Sequence, residues 1–324
     1  MITVSRIYRY PIKGLSGQPL SHVALEAGKP VPADRIFALA RPGSPIDMAD
    51  PKWAKKALFC MLMLDEGLAT VRTVLDLETL RFTAFRDDCC VVSVDLSDAA
   101  GRAALERFFW ELLPDLPAPP TLVRSRDGHF MDKPENVISL INLATVRSLE
   151  ARWGVELDPL RFRANIYIDG AEPWAEFDWI GGDLMIGDVG FNVDRRNGRC
   201  GATNVSPTTG QRDRDIPGAL RASFGHKDLG IYLTVRQAGA LAVGDAVAAD
   251  GAAPAQAMSP APMKDGLPHS FICGGCYFVY EEAKGLPRDD LAPGTAFRDI
   301  PDSWRCPDCG AEKARYRPHG TSDA

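Results

Sequence analysis

Cys273-x-x-Cys276 and Cys306-x-x-Cys309 form two short-spaced pairs with 29 residues between them. A C-x-x-C turn puts two sulfurs on one side of a tight loop, and two such loops that converge give the four thiolates of a tetrahedral site. Four thiolates suit iron or zinc. Half of the eight cysteines lie in the last 52 residues in this pattern, which in a long chain favours metal over disulfides. A different chemistry is offered by Cys200 in RRNGRCGATNVSPTTG (195–210), where Arg195, Arg196 and Arg199 stand near Gly198 and Gly201. Cationic neighbours favour thiolate, so Cys200 is a nucleophile or a soft-metal ligand; the alternative is a buried structural thiol. Cys60, Cys89 and Cys90 belong to no functional motif and read as core or incidental thiols.

These residues need elements to position them. Residues 1–95 read as short strands (ITVSRIYRY, LSHVALEA, DRIFALAR, LATVRTVL, LRFTAF, CVVSVDL) separated by Gly, Pro or Asp, a β-rich, barrel-like pattern. A helix follows, capped by Ser97, with Leu105, Phe108, Phe109 and Leu112 on one face. Another begins near Asn142 or Leu143, buries Leu143, Val146, Leu149 and Trp153, and stops at Gly154. Strand patterns resume in RFRANIYID, DLMIGDVGFNV and GIYLTVR. Residues 251–270, rich in Ala, Pro and Ser, are a flexible linker with an r.m.s. reach of roughly 25 Å.

The whole chain of 324 residues is 45% hydrophobic and 25% charged, which excludes a disordered or collagen-like protein. Its net charge of -6 supplies no basic field, so nucleic acid is not an expected partner. The start, MITVSRIYRYPIKG, has neither a basic leader nor an apolar run, and no stretch of 18 apolar residues follows; no membrane association and a cytoplasmic location are expected.

Between and around the cysteine pairs, PGTAFRDIPDSWRCPDCG (293–310) resembles the second half of rubredoxin, and the resemblance covers about residues 271–318. It implies a single iron carrying one electron, with Tyr280, Phe297, Trp304 and Tyr316 packed around it; zinc is the other ion that four thiolates accept. Tyr277 departs from the pattern. Rubredoxins usually place Gly there, where a left-handed backbone aims an amide at sulfur, so the sequence leaves the geometry and potential of the first turn open.

The pieces YPIKGLSG (10–17), DRIFAL (34–39), VISLINLATVRSLE (137–150), RFRANIYIDG (161–170), IGD, RCGATNVSPTTG and VGDAV (243–247) are similar, in order and spacing, to the MOSC family with its N-terminal β-barrel domain. They look like the molybdenum enzymes called mitochondrial amidoxime reducing components, and like bacterial relatives that end in a ferredoxin domain. The resemblance implies a mainly β fold with α (α+β): an N-terminal β-barrel-like domain at 1–95, a MOSC barrel with helices at 96–250, the linker, a rubredoxin-like domain at 271–318 and a tail at 319–324. It implies Cys200 as the thiolate on the metal of a molybdopterin-type molybdenum cofactor. Lys13, Arg35, Arg163, Asn165 and Arg199 would hold that cofactor, with Asn142 and Thr145 as further polar contacts; Gly198 stands where relatives can carry a small polar residue. His129, in the polar loop HFMDKPEN, is a lesser candidate for the substrate entrance, read from its loop and not from the resemblance.

The activity so implied is a molybdenum-dependent reductase of small N-hydroxylated compounds, fed by its own rubredoxin domain. No Gly-rich dinucleotide fingerprint is present, so an external NAD(P)H-dependent reductase would refill the iron. The alternatives are a sulfur-carrier or cofactor-handling protein and a zinc-bearing adaptor.

Overall fold

The computed structural model describes residues 1–249 and 270–319. The linker expected at 251–270 lies outside the described residues except for Ser270, and so does the tail except for His319. The described residues fall into two compact units, one of residues 1–54 and 58–249 and one of residues 270–319 together with 55–57.

In chain order the N-terminal unit contains β1 (Thr3–Arg9), β2 (Gln18–Leu20), β3 (His22–Leu25), β4 (Phe37–Ala40), β5 (Arg72–Leu75), β6 (Arg81–Arg86), β7 (Cys89–Asp95) and α1 (Ala99–Leu112). There follow β8 (Thr121–Arg124), β9 (Ile138–Asn142), α2 (Leu143–Trp153), β10 (Ile166–Asp169), β11 (Asp183–Ile186) and β12 (Val189–Gly198). The unit ends with α3 (Ile216–Phe224), β13 (Asp228–Gln237), β14 (Gly239–Ala242) and β15 (Val247–Ala249). The protein is mainly β with a few helices.

One sheet of the N-terminal unit runs β15-β11-β12-β13-β9-β10-β1-β2, antiparallel except for β9 and β10. It curls until β1 meets the segment that leads into β15: Thr3 bridges Ala246, and the Val4 amide donates to the Asp245 carbonyl at 2.9 Å. That closure removes an open edge and makes a barrel. Alternate residues fill it, among them Ile166 and Ile168 on β10, Leu184 and Ile186 on β11, and Ile231 and Leu233 on β13. On β1 the buried pair is Val4 and Ile7, three apart, because a bulge between Val4 and Arg6 resets the alternation. All five residues of β9 are buried: Ile138 and Leu140 face the barrel core, and Ile141 packs with α2 and α3 residues on the other side.

The strand runs legible in residues 1–95 all form, and they are distributed over four sheets: β1 and β2 join the barrel, β3 pairs β14, β4 pairs β8, and β5-β6-β7 stand together. Leu105 and Phe109 of α1 are fully buried with Phe82, while Phe108 and Leu112 are half-buried. The cap of α1 is Asp98, not Ser97. Its carboxylate accepts the Gly101 amide at 2.7 Å, three residues on, whereas the Ser97 amide is drawn back to Asp95 at 2.8 Å. Helix α2 starts and stops as its sequence predicts: Asn142 accepts the Ala144 amide at 3.0 Å, and Gly154 is left-handed at φ 65°.

The C-terminal unit is a three-stranded sheet of β16 (Ser270–Cys273), β17 (Val279–Glu281) and β18 (Tyr316–Pro318), ordered β17-β16-β18, around buried Tyr280, Phe297 and Ile300. Among the described residues no helix is long and apolar enough to cross a membrane.

Candidate functional sites

Cys273, Cys276, Cys306 and Cys309 bring their sulfurs within 4.8 Å of one another. Cys273 and Cys309 sulfurs are 3.7 Å apart, and those of Cys276 and Cys306 are 3.4 Å apart. Two equivalent turns achieve this. The Tyr277 amide donates to the Cys273 carbonyl at 3.0 Å, and the Gly310 amide to the Cys306 carbonyl at 2.8 Å. Both closing residues are left-handed, Tyr277 at φ 62° and Gly310 at φ 73°. The first turn, left open by the sequence, therefore keeps the backbone that glycine would supply. The thiol of Cys273 is held far below its ordinary range by hydrogen bonding from Cys276 and the other two, while Cys276 is pushed far above by the same crowding. Four thiols this close ionise together only around a cation, so the donor set fits a metal.

The second constellation is built across the barrel unit. Arg35 and Arg163 are both left-handed at φ 52°, and their guanidinium carbons lie 4.5 and 4.4 Å from the centre of the Tyr10 ring. Arg35 pairs with buried Asp34 and donates to the Arg163 carbonyl at 3.0 Å. Burial opposes its charge, but Asp34 outweighs this and raises its pKa. Arg163 has no such carboxylate bond: its Nη2 is buried without a partner, and desolvation lowers its pKa to about 10. Lys13 is buried and donates to the Phe130 carbonyl at 2.8 Å and to Asp132 at 2.5 Å.

Backbone contacts carry this cationic group to the cysteine loop. Arg163 caps the 3-10 turn Pro159–Phe162, whose Phe162 carbonyl accepts Arg199 Nη1 at 3.1 Å. Arg199 also donates Nε to the Leu229 carbonyl at 2.8 Å; burial lowers its pKa, and carbonyls stabilise its charge. Cys200 follows, half-buried, at the start of the 3-10 turn Gly201–Asn204, and its carbonyl accepts both the amide and the hydroxyl of Thr203. Arg161 ties Thr203 to Asp213, and Arg212 reaches from the Gly201 carbonyl to those of Leu62 and Met63.

Comparison with known proteins is decisive for the C-terminal unit. A rubredoxin family model matches residues 270–316 and a MOSC domain model matches residues 127–248. Residues of this chain are 50% identical over 48 residues to a probable rubredoxin of Methanothermobacter thermautotrophicus, 15% of this chain and 76% of that protein. They are 52% identical over 46 residues to a rubredoxin of Acinetobacter baylyi, 14% of this chain and 85% of that protein. The chain belongs to the rubredoxin family through its C-terminal domain. It carries that rubredoxin domain fused to a MOSC domain. The solved structure of YiiM from Geobacillus stearothermophilus aligns with 35% of this chain at 21% identity and TM-score 0.29; the chain spans 53% of that protein. The YUAD protein of Bacillus subtilis aligns with 76% of this chain and 94% of that one, at 12% identity and TM-score 0.33.

The rubredoxin domain thus supplies a four-cysteine metal site in which three sulfur-bearing residues are buried and Cys309 is half-buried. In and around the MOSC domain the sequence-predicted residues divide. Arg35, Arg163, Arg199 and Cys200 are linked as above, and Lys13 joins them through Phe130, whose carbonyl accepts from Lys13 and whose amide donates to the Arg35 carbonyl at 2.7 Å. Asn165 is spent on the fold: its carbonyl oxygen accepts the Ser139 amide and hydroxyl at 3.2 and 2.9 Å, and its amide donates to the Tyr8 carbonyl at 3.2 Å.

Asn142 and Thr145 turn to a residue that sequence reasoning missed, Glu176. Its carboxylate is fully buried and accepts from Asn142 at 3.1 Å and Thr145 at 3.0 Å; desolvation pushes its pKa up to about 7. No pattern in AEPWAEFDW distinguishes Glu176 from an exposed glutamate. Tyr10, at the head of YPIKGLSG, had such a signal.

His129, the lesser candidate for an entrance, is 4% exposed. Its Nδ1 accepts the Met131 amide at 3.2 Å and its Nε2 meets Asn136 at 3.1 Å, so the ring fixes the loop that delivers Phe130 and Asp132 to Lys13. Of the other cysteines, Cys60 is a core thiol whose pKa burial pushes up to about 12, while Cys89 and Cys90 are exposed on β7.

Proposed function

We propose that the chain is a molybdenum-cofactor-dependent oxidoreductase that reduces small N-hydroxylated compounds with electrons from its rubredoxin domain. The observation that carries this reading is the buried, unpartnered Arg163 Nη2 beside Arg35 on Tyr10, joined through Phe162 and Arg199 to half-buried Cys200. A buried N–H with no acceptor costs about 1–3 kcal/mol, a cost that an anionic ligand would remove. The donor set suits a phosphate on a soft metal's ligand: guanidinium forks for the anion and a thiol for the metal.

In this reading Arg163, Arg35 and Lys13 hold the anionic part of the pterin, and Cys200 binds the molybdenum. Arg199, held by the Leu229 and Phe162 carbonyls, fixes the backbone immediately before that thiol. Thr203, Arg161 and Arg212 fix the loop that presents it. Asn142 and Thr145 act through Glu176 and orient the segment carrying Trp174. When bound, the molybdenum centre supplies two-electron oxygen-atom chemistry. Reduction of N–OH to N–H takes two electrons and two protons and releases water; a one-electron iron site must deliver twice, refilled by an external NAD(P)H-dependent reductase. Tethering in one chain raises the effective concentration of donor toward the millimolar range.

The test is molybdenum, iron and zinc stoichiometry on chain made in a host that synthesises the pterin, together with Cys200→Ser. About one molybdenum and one iron per chain, with amidoxime reduction lost in Cys200→Ser while iron stays, is the expected result. Molybdenum with no reductase activity moves the assignment to cofactor handling or sulfur carriage, and zinc alone moves it to an adaptor.

A further inference from the structure

We propose that Gly17 is a positioning residue for the arginine pair: its bare backbone is the wall against which the Tyr10 ring stands, and through that ring it sets where Arg35 and Arg163 are held. Strand pairing makes the contact. Strands β1 and β2 pair Tyr8 with Pro19 and Arg9 with Gln18, so the next rung sets Tyr10 opposite Gly17. Facing side chains in such a pair stand side by side, and a glycine there leaves its room to the partner. A β-carbon on Gly17 would lie 2.6 Å from Cε1 and 2.9 Å from Cζ of Tyr10, and 3.0 Å from Cδ1 of Tyr8. Backbone conformation does not call for glycine here, since φ of Gly17 is not positive. The ring contact does.

Neither partner can step aside. The chain around Gly17 is tied on both sides: Ser16 and Thr73 exchange bonds, amide to hydroxyl, at 3.2 and 3.0 Å, and Gln18 Nε2 donates to the Leu75 carbonyl at 2.8 Å. Tyr10 is 2% exposed; its amide donates to Asp34 at 2.7 Å and its carbonyl accepts the Arg35 amide at 2.6 Å. The Tyr8 ring, which would be crowded next, stands edge-on to buried Tyr167, 5.9 Å between centroids. An added methyl therefore displaces the Tyr10 ring, and a close-packed interior passes that displacement on. What it reaches are the two guanidinium groups centred 4.5 and 4.4 Å from the ring centroid. The attraction of a cation to a ring depends on that distance, so both arginines move with the ring.

The consequence for a bound anion rests on the reading of the site given above; the placement of the arginines does not. Full-length chain made in a host without the pterin is compared with Gly17→Ala and Gly154→Ala by NMR of the arginine N–H groups. Wild type is expected to show Nε–H resonances shielded by the Tyr10 ring, one absent in Arg35→Lys and the other in Arg163→Met. Both are expected to shift in Gly17→Ala and to hold still in Gly154→Ala, where a left-handed glycine at φ 65° has open space around the added carbon. Gly154→Ala thus supplies backbone strain without the ring contact. Resonances unshielded in wild type, or unmoved in Gly17→Ala, overturn the proposal. A stability cycle covers a variant that folds poorly: Gly17→Ala is expected to lower the denaturant midpoint less in a Tyr10→Leu chain than in wild type, and an equal loss in both overturns it as well. With the pterin supplied, Gly17→Ala is expected to retain roughly tenfold less of it than Gly154→Ala, the worth of about one charge-assisted bond. Shifted resonances with undiminished retention overturn the consequence for the anion. A wild type that retains no pterin would remove the cofactor reading, and the resonances would still decide the role of Gly17.

Discussion

The two candidate sites solve the problem of gathering charge in opposite ways. In the rubredoxin domain the ligands arrive as two short turns with the same hydrogen bonds, and one small sheet brings them together. Around Cys200 the groups come from Tyr10, Arg35, Arg163 and Arg199, spread over most of the first 200 residues, and long-range pairing such as that of β1 with β10 brings them together. A local site is written in spacing; a distributed one is written in pairing. The comparison predicts that the first depends wholly on its metal and the second on its scaffold. Cys276→Ser is expected to abolish stoichiometric metal binding in the rubredoxin domain, forfeiting binding free energy on the order of 10 kcal/mol, while thermal unfolding of the MOSC unit is unchanged. Metal analysis and calorimetry of the full chain check both halves, and a parallel loss of the MOSC transition would break the contrast.

The next effect sharpens the scaffold side. Glu176 carries its proton to about pH 7 because burial disfavours the carboxylate, with Asn142, Thr145 and the charge of Arg199 only partly offsetting this. Its folded pKa lies above the unfolded one, so no penalty exists below the unfolded value, and stability falls as pH rises from about 4.5 to 7. The full penalty, about 3 kcal/mol at one pKa unit per 1.36 kcal/mol, applies above that window. Glu176→Gln keeps an acceptor for Thr145 and removes the titration. Its denaturant midpoint is expected to gain on wild type between pH 4 and pH 8; a gap constant with pH would show that Glu176 stays ionised in the fold.

Arg163 tests the same distributed site at smaller scale. Arg163→Met keeps the length of the side chain and removes an unpartnered buried N–H. Without ligand the variant is expected to be at least as stable as wild type, whereas retention of a phosphorylated pterin through purification should weaken by about 2 kcal/mol, some tenfold to a hundredfold. Pterin content of matched preparations reads this directly, and equal retention would leave Arg163 as a scaffold residue.

These cases also show where the sequence stops speaking. The cysteine ligands and the limits of α2 were legible because each is decided within a few residues: a turn, an Asn cap, a left-handed Gly154. Asp98 displaced Ser97 as the α1 cap by one position, since only the residue three before Gly101 can accept its amide. The strands of residues 1–95 were legible one by one, but not that β1 pairs β10 from Thr3 to Asp169, because nothing local records a partner 166 residues away. For the same reason Asn142 and Thr145 were legible as polar residues on a helix, and their shared attachment to Glu176 was not.

Tyr277 gives the finest comparison, since it sets one half of the thiolate site against the other. It occupies the position that Gly310 fills in the second turn, with φ of 62° against 73° and the matching hydrogen bond to the first cysteine of its pair. A side chain in that region costs on the order of 1 kcal/mol relative to glycine. The turn holds it there because the Cys273 and Cys276 sulfurs must converge on Cys306 and Cys309. Tyr277→Gly is therefore expected to leave metal stoichiometry unchanged and to raise the unfolding midpoint of the metal-loaded domain by an amount worth about 1 kcal/mol. Glycine also gains freedom in the unfolded chain, which subtracts some of that gain. A destabilised Tyr277→Gly domain would mean that the ring makes contacts worth more than the strain, and that the two turns, alike in backbone, differ in what they carry.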